Sequence, residues 1–157
     1  MSLTIRDYIK RELKEKDQQA ALAYVDFLEE KNLEIRKDNG DYWKDNIYYW
    51  IVYKDKCVAF IAIKDPSEPD TDWTVYSDDI NDKYLLEEYV TEEEKKIAFE
   101  HIDSCRCGGG PKKMFGEDVE WCCGTNFRFN VPTMKELLFM KKMVLLKMME
   151  IDDNNQN

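Results

Sequence analysis

The residues best able to do chemistry fall in one short stretch. His101 is the only histidine of the 157 residues, and it precedes four of the five cysteines: Cys105, Cys107, Cys122 and Cys123. Imidazole and thiolate are the ligands of a tetrahedral zinc site. One half of such a site reads His101-x3-Cys105-x-Cys107, running off the end of a helix. The other half is Cys122-Cys123, beyond the break Gly108-Gly109-Gly110-Pro111. Adjacent residues on a strand point to opposite faces, so both members of that pair ligate only where the chain bends. Gly124 permits a bend. The most economical ligand set is His101, Cys105, Cys107 and Cys123. Its spacings are Cys-x-Cys and Cys-Cys, where structural zinc knuckles use Cys-x2-Cys. The same residues have two other readings. Cysteine packs well as a small hydrophobe, and His101 on an apolar helix face can be a satisfied, half-buried ring. Alternatively, the basic neighbours Arg106, Lys112 and Lys113 stabilise a Cys105 thiolate. His101, one helical turn away, is then its base. No third, orienting group accompanies that pair, so no catalytic residue is assigned.

A second set is aromatic. Trp43, Tyr48, Tyr49, Trp50, Tyr53, Trp73 and Tyr76 have the types that line a small-molecule pocket on a curved sheet, or equally the types that fill a core. Trp50, Trp73 and Tyr76 are the ligand-binding candidates, with Trp50 central in its strand. Cys57 begins a strand and reads as core. The acidic runs Asp65–Asp72 and Asp78–Asp82 lack the glycine and closing glutamate of a calcium loop and read as solvated loops. The triple glycine before Lys112-Lys113 lacks the nucleotide-loop pattern. The methionines of the last helix, Met134, Met140, Met143, Met148 and Met149, suit either core packing or a partner-binding face.

The elements that position these residues follow from periodicity. Thr4 and Asp7 are spaced as a capping box, opening a helix over 2–16 with Ile5, Tyr8, Ile9 and Leu13 at helical intervals. A second helix spans 17–31, burying Ala21, Val25 and Leu28. Leu33 and Ile35 alternate with charges in a short strand, and Asn39-Gly40 is a turn. The runs Tyr48–Tyr53 (YYWIVY) and Cys57–Ile63 (CVAFIAI) read as a hairpin whose faces are both apolar. A sheet covered on both sides, or one side of which lines a pocket, explains that pattern. Trp73–Ser77 is a third strand. Thr91 and Glu94 form a capping box stapled by Val90, opening a helix to about Ile102. Lys113–Phe115 and Asn126–Phe129 are further strands. Pro132, Thr133 and Glu136 open a last helix to about Glu150. The remainder, IDDNNQN, reads as a frayed polar tail. The expected organisation is one α+β domain over 1–150 plus a tail at 151–157. Its antiparallel sheet has about four to six strands, with N-terminal helices packed on it and a long C-terminal helix closing the core.

Composition excludes several function classes. With 23 basic and 33 acidic side chains, the net charge is −10, which argues against a phosphate-backbone binder. No apolar run reaches membrane-spanning length. The first residues lack an apolar signal core, so the expected location is cytoplasmic, where thiols or metal ligation prevail over disulfides.

Two stretches carry a resemblance. The second helix followed by YYWIVYKDKCVAFIAI and WTVYS is similar to small bacterial α+β domains of the YdhG-like and YjbR-like groups, whose function is unknown. His101-Ile102-Asp103-Ser104-Cys105, then Phe115-Gly116, then Cys123-Gly124-Thr125-Asn126-Phe127-Arg128-Phe129 resembles the C-terminal segment of an uncharacterised family of short bacterial proteins. That second resemblance implies that His101, Cys105 and Cys123 belong to a shared feature. Neither resemblance implies a reaction. The leading expectation is a binding domain holding a structural zinc or a small ligand near the His/Cys cluster, with no nucleic-acid or membrane partner. The alternatives are a thiol-dependent enzyme or redox protein using Cys105 or Cys123 with His101, and a homodimeric interaction protein.

Overall fold

Two capping boxes open helices where the sequence places them. In α1 (Ile5–Glu12) the Thr4 hydroxyl accepts the Asp7 N–H while the Asp7 carboxylate accepts the Thr4 N–H. Thr91 and Glu94 do the same for α3 (Glu92–Glu100). The computed structural model describes residues 3–40, 46–66, 70–85, 89–103, 112–119 and 126–155. Helix α1 is shorter than periodicity predicts, because Leu13 turns to extended backbone and buries its side chain at the start of α2 (Glu15–Glu30). Asn32 ends α2 in the left-handed region at φ 60°. The Asn32 and Leu33 N–H groups return to the carbonyls of Glu29 and Leu28, a Schellman closure that aims the chain into β1 (Glu34–Lys37).

Strands β2 (Ile47–Tyr53) and β3 (Lys56–Ile63) form the predicted hairpin. Its two turn residues, Lys54 and Asp55, both have positive φ, which matches the twist of a two-residue hairpin. A bulge between Ile51 and Val52 adds Val58 to the β3 side. β4 (Trp73–Ser77) pairs with β3, and β8 (Asn126–Asn130) pairs with β4. The order is β1-β2-β3-β4-β8, antiparallel throughout, and the two-residue β5 (Ile102–Asp103) adds to the far side of β8. A separate hairpin joins β6 (Lys112–Met114) to the unpredicted β7 (Glu117–Val119) through Phe115 and Gly116, both at positive φ.

The helices pack on one face of the sheet. Tyr49 and Ile51 of β2, Ala59, Ile61 and Ile63 of β3, Trp73 and Val75 of β4, and Phe127 and Phe129 of β8 form one core with helix residues such as Ile9, Val25, Leu28, Met140 and Val144. Burying each such aliphatic side chain contributes about 1.5–3 kcal/mol relative to exposure. The last helix, α4 (Met134–Asn155), runs 22 residues and continues past Glu150, so the stretch from Ile151 to Asn155 is helix, not frayed tail. Ile151 is buried in the core, and Asp152 accepts hydrogen bonds from Tyr53 and Lys54 across the hairpin end.

Candidate ligand-binding face and the His101 junction

Strand alternation sends every second residue of the sheet away from the helices. Register aligns those residues into a row across five strands: Arg36, Trp50, Phe60, Tyr76 and Arg128. Tyr48, Ala62, Thr74 and Asn130 form the next row. None of the rings of Tyr48, Trp50, Phe60 and Tyr76 belongs to the core under the helices. Phe60 is the hub of this outer cluster. Its ring centroid lies 4.9 Å from Trp50 in edge contact, 5.9 Å from Tyr48 and 6.5 Å from Tyr76. These separations are those of mutually attractive aromatic pairs.

Polar groups fix both ends of the row. The Trp50 indole N–H donates to Asp38 Oδ2 at 2.6 Å. Arg36 is paired with Glu34 through two contacts. At the other end the Arg128 guanidinium lies 5.6 Å from the Tyr76 ring centre, and its Nε donates to Asn130 Oδ1 at 3.3 Å. Thr74 donates to the same oxygen at 2.9 Å. Burial pushes the Tyr48 phenol far above its ordinary value, so the hydroxyl keeps its proton and remains a donor.

The aromatic candidates therefore divide. Trp50 is 36% exposed, Tyr76 is half-buried and both lie on the outer face. Trp73 is 2% exposed on the helix-covered face, so it does not share a surface with them. Tyr49 and Tyr53 also point to the helix side, while Trp43 lies outside the described residues. Phe60 and Arg128 were not singled out from sequence. Phe60 carried a signal, being the one large ring between Ala59 and Ala62 in CVAFIAI. Arg128 carried none, because β8 joins the sheet only through long-range pairing.

His101 caps the C-terminus of α3. Its Nδ1 faces the Ile97 carbonyl at 2.9 Å and its Nε2 faces Glu136 Oε2 at 2.7 Å. The ring lies 4.6 Å from that of Phe129. Glu136 is itself committed: its Oε1 accepts the Thr133 N–H while its own N–H donates to the Thr133 hydroxyl. His101 thus ties the end of α3 to the first turn of α4. Cys105, Cys107, Cys122 and Cys123 lie outside the described residues. Among the described residues no three His, Cys, Asp or Glu side chains converge as a metal site. Cys57 is half-buried, its thiol donating to the Ala59 carbonyl at 3.3 Å. Burial, then the nearby Asp78 charge, pushes that thiol up to about 12, which suppresses the nucleophilic thiolate.

Of the acidic loops, Asp72 is held by Lys64 at 2.7 Å. No described helix is long and apolar enough to cross a membrane. No family model, no curated protein and no solved structure matches this chain.

Proposed function

We propose that the chain is a non-enzymatic binding domain that receives a flat, anionic small molecule on the outer face of its sheet. Trp50, Phe60 and Tyr76 would supply the stacking surface and Arg128 the charge partner. The observation that carries this reading is the cross-strand row itself, three rings in register on the face away from the helices with a guanidinium at its end. Rings held by edge contacts to each other keep their orientation before a ligand arrives, so little ordering cost accompanies binding. A planar guanidinium offers several donors in one plane and suits a carboxylate or sulfonate.

The test uses 2-naphthoate as probe, with 2-naphthylmethylammonium as the cationic control, by titration calorimetry on the full chain. The reading predicts saturable one-to-one binding of the anion, weakened about tenfold by Arg128→Gln, the scale of one lost charge-assisted hydrogen bond. Phe60→Leu should weaken it as well. Equal binding of both probes, or naphthoate binding indifferent to Phe60 and Arg128, would refute it.

A further inference from the structure

Helix α4 is apolar on two sides. Its inner side supplies Leu137, Met140, Met143, Val144 and Ile151 to the core. Its opposite side exposes Met134 at 63%, Leu138 at 61%, Leu145 at 39% and Met149 at 38%. At 100° per residue these four fall within a 60° arc directly away from the core. A surface helix ordinarily carries one apolar stripe, and a helix apolar all round has both faces covered. The outer stripe holds four of the seven large hydrophobics exposed among the described residues, so it is not the scatter of single apolar side chains that surfaces normally show.

The order of the stripe points to what covers it. It reads Met, Leu, seven-residue step, Leu, Met, and so is the same from either end. An antiparallel copy, related by a twofold axis between Lys141 and Lys142, sets Met134 against Met149 of the partner subunit. It likewise sets Leu138 against Leu145 of the partner subunit. That is the self-complementarity an isologous interface requires. The two lysines at the axis are drawn aside. Lys142 reaches Glu94 at 2.6 Å, and Lys141 lies 5.5 Å from the Phe27 ring centre. Their apolar stems remain beside the stripe.

We infer that the chain forms a twofold homodimer through antiparallel contact of the outer faces of α4, centred on Leu138 and Leu145. Because α4 lies on the helix side of the sheet, this contact does not involve the aromatic row. It stands or falls independently of the proposed ligand.

Sedimentation equilibrium on the full chain tests it. The wild type should give twice the 18.7 kDa of one chain at micromolar concentration. Leu138→Glu and Leu145→Lys should each give monomers with unchanged circular dichroism, since both positions are exposed in the single chain, and with an unfolding midpoint equal to that of wild type diluted until it is monomeric. Mixing the two variants should restore a dimer, because the antiparallel register brings Glu at 138 of one chain to Lys at 145 of the other. A monomeric wild type, a dimer that survives Leu138→Glu, or a mixture that stays monomeric would overturn the inference.

Discussion

Replacing Trp50 by threonine should cost less stability than replacing Phe129 by alanine, although both remove a ring from the same sheet. Trp50 loses one edge contact with Phe60 at 4.9 Å, which is about 0.5–1 kcal/mol. It also loses its hydrogen bond to Asp38, which in this exposed setting adds about 0.5–1 kcal/mol. Threonine keeps strand propensity but covers less apolar area than the partly buried ring, about 1 kcal/mol more, so the total is about 2–3 kcal/mol by these terms. Phe129 is fully buried between His101 and Phe139, and its truncation leaves a cavity costing about 3–5 kcal/mol. Urea unfolding followed by circular dichroism measures both, with the denaturant slope checked for constancy. A Trp50→Thr loss as large as that of Phe129→Ala would mean that the outer face is covered like the inner one, and the one-sided sheet would fail.

Four further outcomes follow. His101→Ala removes the tether between α3 and α4 and leaves Glu136 Oε2 without its partner, so stability should fall by about 1–2 kcal/mol in urea. Ending the chain after Glu150 removes the buried Ile151 and the Asp152 contacts, and should lower the urea midpoint clearly, where loss of a frayed tail would not. Cys57 should alkylate with iodoacetamide at pH 8 about a thousandfold more slowly than in urea-unfolded protein, read by peptide mass spectrometry, because its folded thiol sits near 12. Burial alone would raise the Glu94 carboxyl, but its bonds to Lys142 and the Thr91 cap outweigh that and hold it below the usual range. Its contribution is therefore present above the ordinary glutamate pKa and disappears as pH falls through the depressed value. Between pH 6 and pH 3, Glu94→Gln should lose less stability than the wild type.

What was legible in the sequence was local. The Thr4–Asp7 and Thr91–Glu94 boxes need only four residues, and both are present. The β2–β3 hairpin and WTVYS declared themselves by β-branched and aromatic content. The alternation of YYWIVY separated Tyr49 and Ile51 from Tyr48 and Trp50, but both sets are apolar, so the pattern could not say which face the helices cover. That assignment depends on α1, α2 and α4 all crossing the same side. The placement of Trp73 beneath the helices follows from the same long-range choice. Likewise the acids of IDDNNQN looked like a solvated tail, because their partners Tyr53, Lys54 and Tyr84 lie about 70–100 residues away. At the candidate metal site His101 alone falls within the described residues. Its partners, the Ile97 carbonyl and Glu136, are a helix-turn neighbour and a capping residue that spacing to cysteines does not reveal.

Hydroxyl-radical footprinting with residue-level mass spectrometry compares the two sides of the sheet in a single native sample. Rapid oxidation of Trp50, with intermediate oxidation of Phe60 and Tyr76, beside protected Tyr49, Trp73 and Phe129 is the predicted pattern; protection of Trp50 and Phe60 equal to that of Trp73 would contradict it.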